Sequence, residues 1–123
     1  SDDDEDGDEE ERDSGIKAWR VRGALFFGST TVLENMAHPL PSRALVLDLS
    51  TVIYMDSSGA DAMMNLGKSC YEQGVRLLVC GLDGQPLELV RRSGLVDWFE
   101  GGVLPDLDVA LTHLQDDPPP LRK

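Results

Sequence analysis

Basic residues are scarce, with 11 Lys and Arg set against 23 Asp and Glu for a formal net charge of -12. Nucleic acid is bound chiefly through its phosphates, so that balance removes nucleic-acid recognition as a main role. Cysteine occurs twice, at Cys70 and Cys80, too few for a disulfide framework and outside any zinc-ligand spacing. Each lies in an apolar pattern, which predicts buried free thiols in a reducing compartment. Long apolar runs are missing as well, since nothing approaches the roughly 18–20 residues of a membrane helix. There is no basic segment followed by an apolar one, as a secretory signal requires, so the chain as written reads as soluble.

Catalytic motifs are equally thin. Only His38 and His113 offer an imidazole base. His38 precedes Pro39 in a connection, and His113 falls in a late helical turn expected to face solvent. The glycine-x-serine-x-glycine elbow of a nucleophile is absent. Gly81–Pro86 has two glycines ahead of a helix but neither the lysine of a P-loop nor the third glycine of a dinucleotide fingerprint. No His, Cys and Asp cluster has metal-ligand spacing. The expectation is a protein with no catalytic residues, no cofactor and no metal.

What is present is a chain of 123 residues, 41% of them hydrophobic, enough for one core and one domain. Charge is unevenly placed. Residues 1–14 hold ten acids and one base, a net of -9, which leaves -3 for everything after them. That leader has no apolar side chain and is expected to be disordered. Residues 15–115 are expected to form the domain. Residues 116–123, with three consecutive prolines, are expected to form a disordered tail in which a helix cannot continue.

Inside the domain, strand and helix patterns alternate. Ile16–Arg22 and Ala24–Phe27 read as two short strands split by Gly23 and paired antiparallel. A helix is expected from Thr31, where Glu34 completes capping-box spacing, to a point before Pro39. Ala44–Leu49 is nearly all apolar, as in a strand buried on both faces. Asp56–Gly74 reads as a helix, Val75–Val79 as a buried strand, and Pro86–Ser93 as a helix stopped by Gly94. Trp98–Phe99 suggests a last short strand. Asp106–Leu114 closes the series with Leu107, Ala110, Leu111 and Leu114 on one helical face. Alternation of this kind predicts an α/β fold: a small mixed sheet of four to five strands flanked by about four helices.

Asp56-Ser57-Ser58-Gly59 opens the longest helix and carries the candidate site. Ser58 and Asp61 have capping-box spacing, and Gly59 permits close backbone approach. Free amides and the helix dipole at such an end also favour negative charge. Two readings are therefore open, a helix cap only or a site for an anion or a phosphorylated serine.

The segment Tyr54-Met55-Asp56-Ser57-Ser58-Gly59, set between an apolar strand and an apolar helix, resembles the signature loop of STAS domains. Val79-Cys80, the helix from Pro86 and Arg92-Ser93-Gly94-Leu95 follow in the same order, so the likeness runs from about Ile16 to Leu114. STAS domains include the anti-sigma factor antagonists and the cytoplasmic C-terminal domain of SulP anion transporters. Gly23-Ala24-Leu25-Phe26-Phe27-Gly28-Ser29 is similar to the transporter group, although Ser29 stands where many of its members have Asn. The short connection His38–Ser42 resembles the bacterial ones.

The resemblance implies a non-catalytic regulatory domain on the cytoplasmic side of the plasma membrane, part of a transporter of sulfate, bicarbonate or a dicarboxylate. The implied partners are the transporter's own membrane domain, another protein or a second STAS domain, with weak nucleotide or anion binding tolerated. The alternative it carries is a stand-alone anti-sigma factor antagonist, in which Ser57 matches the family phosphoacceptor.

Overall fold

Residues 44–49 are buried without a break, which requires cover on both faces of the strand they build. That strand, β3 (Ala44–Met55), lies at the centre of a five-stranded sheet. The structure, a computed structural model, describes residues 7–13, 15–25, 33–35 and 39–115, with the backbone alone at 7–13 and 23–25. The other strands are β1 (Gly7–Asp13), β2 (Ile16–Leu25), β4 (Arg76–Cys80) and β5 (Val103–Leu104). They line up in chain order, β1-β2-β3-β4-β5. Strand β1 is antiparallel to β2, and every other pair is parallel.

Parallel neighbours need crossovers, and helices supply them. Helix α1 (Ser57–Gln73) joins β3 to β4, and α2 (Gly84–Arg92) with a 3-10 helix (Leu95–Trp98) joins β4 to β5. Helix α3 (Leu107–His113) follows β5. Alternate residues of the central strands feed two cores. Leu45, Leu47, Leu77 and Val79 pack with Met63, Leu66, Cys70, Val90 and Leu95 on one face. Ala44, Val46, Leu78 and Cys80 pack with Ala110 and Leu114 on the other. The predicted mixed α/β sheet flanked by helices is thus the observed architecture.

Helix α1 ends where the sequence predicts. Gly74 sits at φ 73° and gives its amide to Tyr71 O, while Val75 gives its amide to Cys70 O at 2.9 Å. This pair of bonds satisfies two of the free carbonyls of the last turn, and the left-handed φ explains the glycine. Trp98 lies across Gly67, where an added Cβ would stand 3.1 Å from the Trp98 Cβ.

Several expectations are corrected. Gly7–Asp13 is not outside the fold but forms the edge strand β1. An edge strand joins through backbone hydrogen bonds on one side only, so it needs no apolar side chains, and hydrophobic patterning cannot see it. Its backbone register runs from Gly7 opposite Val21 to Asp13 opposite Ile16. Residues 1–6, 14 and 116–123 lie outside the described residues. Gly23 does not divide two antiparallel strands either. Ile16–Leu25 is one strand, parallel to β3, with Gly23 opposite Val52. Phe26, Phe27, Ser29, Thr31 and His38 lie outside the described residues, and residues 33–35 are helical. Trp98–Phe99 is no strand. Leu95–Trp98 winds as a 3-10 helix after Gly94 at φ 81°, and the last strand is Val103–Leu104. Finally, the strand expected over Ala44–Leu49 does not stop there but runs on to Met55.

Candidate functional site

The chain turns from strand to helix at Asp56, whose extended backbone (φ -104°, ψ -176°) makes it the N-cap of α1. Its Oδ1 accepts the Gly59 amide at 2.9 Å, and its carbonyl accepts the Ala60 amide at 3.0 Å. The expected Ser58–Asp61 capping box is therefore corrected. The cap is Asp56, two residues earlier, because a short carboxylate at the turn already satisfies the third helical amide. Ser57 and Ser58 occupy the first turn inside the helix, Ser57 exposed and Ser58 half-buried, while Gly59 is buried. All four predicted site residues come together, and only Asp56 serves the cap.

Just ahead of them stand two large apolar side chains in solvent, Ile53 at 77% and Tyr54 at 48% exposure. They lie on the half of β3 that outruns β4, whose pairing stops at Asp48 opposite Cys80. This protrusion is a two-stranded ribbon with β2, pinned by Thr51 Oγ1 donating to Val21 O at 3.0 Å. The adjacent end of the ribbon is held by Gln85, whose carboxamide makes two bonds to the Met55 backbone. Nothing in the sequence near Pro86 signals that role. Among the described residues, exposed Ile53 and Tyr54 thus lie within four positions of Ser57 in the chain, just ahead of the first turn of α1.

Two buried acids, also missed, brace the frame. Asp48 takes the Arg20 guanidinium at 3.2 Å and the Ser50 amide at 3.0 Å. The second bond lies where the β2–β3 register slips, between Arg20/Asp48 and Arg22/Thr51. Glu100 is 4% exposed and binds Arg76 twice, at 2.6 and 2.8 Å, with His113 Nδ1 at 3.4 Å. Burial by itself would push the Glu100 carboxyl up, but Arg76, through hydrogen bonds and charge, and His113 hold it below the usual glutamate range. Arg76 also donates to the His113 and Leu114 carbonyls, closing the end of α3. His113, expected in solvent, is instead half-buried, with its ring beside Gly101. An acid inside an apolar strand, as in Asp48, is the signal that could have announced a buried pair.

Cys70 and Cys80 are free and buried, as expected. Burial pushes both thiols up to about 12, with Asp48 adding to the rise at Cys80. Among the described residues no helix is long and apolar enough to cross a membrane.

The chain matches the STAS domain family over residues 9–110. It is 31% identical over 86 residues, 68% of its length, to the Bacillus subtilis (strain 168) protein YvdB, whose name assigns it to sulfate transport. The matched segment spans only 16% of that relative's own length. A solved sulfate transporter family protein from Wolinella succinogenes superposes with a TM-score of 0.73 and 24% identity, covering 82% of this chain and 85% of that one. An anti-sigma factor antagonist from Mycobacterium paratuberculosis superposes with a TM-score of 0.68 and 24% identity, over 89% and 93% of the two chains.

Proposed function

Because the chain belongs to the STAS domain family, we propose that it is a non-catalytic regulatory module of a SulP-type anion transporter. In this reading it sits on the cytoplasmic side of the membrane and modulates passage of sulfate, bicarbonate or a dicarboxylate. The observation that carries the reading is the 31% identity, over 86 residues, to a relative named for sulfate transport. The surface at which it acts is the start of α1, where Ser57 stands beside exposed Ile53 and Tyr54. Paired apolar side chains in solvent suit a protein partner, whether the transporter's membrane domain, a second STAS domain or another protein. A charge gained or contacted at Ser57 would alter that surface without disturbing the packed face of α1.

A second reading is favoured by the exposure of Ser57 outside the cap. In it the chain is an anti-sigma factor antagonist switched by phosphorylation of Ser57. Gene structure separates the two: membrane-spanning segments in the same reading frame support the transporter, and a free-standing frame beside a kinase gene supports the antagonist. The functional test is uptake of labelled sulfate, bicarbonate and dicarboxylate by cells carrying the whole gene product. Ser57→Asp is expected to change the uptake of one of them at unchanged protein level. Equal uptake of all three anions by Ser57→Asp and wild type would sink the regulatory assignment of this surface.

A further inference from the structure

Strand β4 stops opposite Asp48, yet β3 runs on to Met55. Strand β2 covers one side of that extension as far as Leu25↔Met55, and among the described residues no strand covers the other. At the last residue a side chain takes the place of a strand. The Gln85 carboxamide oxygen accepts the Met55 amide at 2.9 Å, and its nitrogen donates to the Met55 carbonyl at 2.7 Å. A carboxamide carries one acceptor and one donor side by side, which is what an unpaired strand residue requires.

The same two bonds secure the start of α2. Its N-cap, Asp83, makes no side-chain cap bond, and Gly84 follows at φ 55° with nothing within 4 Å of where a Cβ would stand. Polar fixing of this helix start therefore falls to Gln85. On the other side of the link, Met55 is followed by the cap Asp56 and then by Ser57. Negative charge at Ser57 would repel the Asp56 carboxylate and compete for the first-turn amides. Movement of Asp56 has to be taken up at Met55, whose side chain is fully buried and whose backbone is tied to Gln85.

We infer that Gln85 is a positioning residue that holds the backbone ahead of Ser57 and carries a change of charge there to the open groove of α2. That groove, about 750 Å³, is lined by Gln85 itself with Gly84, Leu87, Glu88, Arg91 and Arg92. The inference rests on Ser57 being the regulated position and makes α2 a second surface that reports its state.

The test uses amide spectra of the whole chain in four forms: wild type, Ser57→Asp, Gln85→Ala and the double variant. Ser57→Asp is expected to shift Gly59, the Gln85 side-chain amide and the backbone amides of Leu87 and Arg91. On the Gln85→Ala background the Gly59 shift should remain while those of Leu87 and Arg91 vanish. Hydrogen exchange at the Met55 amide should rise about five- to tenfold in Gln85→Ala, the loss of roughly one net hydrogen bond, with the Leu78 amide unchanged. Gln85→Glu keeps an acceptor and loses the donor, so it should leave Met55 protected while weakening the shifts in α2. Persistence of the Leu87 and Arg91 shifts without Gln85, or an unchanged Met55 exchange rate, overturns the inference. The spectra involve neither partner nor transport, so this link and the role of Ser57 can fail separately.

Discussion

Asp56 and Ser58 sit two residues apart at one helix start, and their different work is measurable. Asp56 supplies the cap bond to Gly59, so Asp56→Ala should cost about 1 kcal/mol in urea unfolding. Ser58→Ala should stay within about 0.5 kcal/mol of wild type, as for a side chain outside such features. Glu100 is a sharper case, a buried carboxylate shared by Arg76 and His113. Glu100→Gln should destabilise by about 3 kcal/mol at neutral pH, since it leaves the Arg76 guanidinium without its counter-charge. Its carboxyl is held below the ordinary value of 4.5. The contribution is therefore fully present above the unfolded value and is lost as pH falls through the lower, folded one. Urea midpoints followed downward from pH 5 should fall for the wild type and converge on those of the variant. Parallel curves would place the acid sensitivity elsewhere.

At the scale of an element, β1 is the instructive strand. It has no apolar residue, so its place rests on the antiparallel ladder with β2 from Gly7↔Val21 to Asp13↔Ile16. Deleting residues 1–13 should leave the two cores folded and lower stability by about 1–3 kcal/mol, the net worth of a few solvent-edge hydrogen bonds. Amides of β2 that face β1 should then exchange faster, while those of β4 keep their relative protection. A truncated chain with unchanged stability and unchanged β2 exchange would return β1 to the status of a loose leader. Helices α1 and α3 behave as their periodicity says, because each lays a regular apolar face on the sheet and has an N-cap aspartate whose carboxylate accepts a first-turn amide. The start of α2 follows no such rule, as its fixing partner is Met55, 30 residues upstream.

At the scale of the whole molecule, the sheet divides the interior into two cores, and one cysteine lies in each. Both thiols are pushed up to about 12 by burial, so neither forms appreciable thiolate at neutral pH in the folded state. Labelling by a thiol reagent should therefore be slow and should follow global unfolding, with both cysteines reacting together as denaturant rises. Fast labelling of one cysteine in native buffer would reveal a local opening of its core.

Local pattern in the chain was enough for the class of fold, for α1, α2 and α3 with their ends, for the buried run of β3 and for the place of Asp56, Ser57, Ser58 and Gly59 at a helix start. These follow from periodicity, glycine at left-handed positions and short polar side chains at helix starts, all of them relations within a few residues. What depends on distant partners emerged with the packing of the folded chain. Strand β1 joined because an edge needs backbone pairing rather than apolar side chains. Ile16–Leu25 stayed whole because β3 continues beside it past Gly23. The cap fell to Asp56, because the parallel ladder carries β3 as far as Met55 and the turn begins only there. Gln85, Arg76 and Glu100 gained their roles from neighbours that chain folding brings close, 24 to 30 residues away in sequence. Local pattern fixes where a helix begins, whereas the pairing of a buried donor with its acceptor is settled by the packing of the whole sheet.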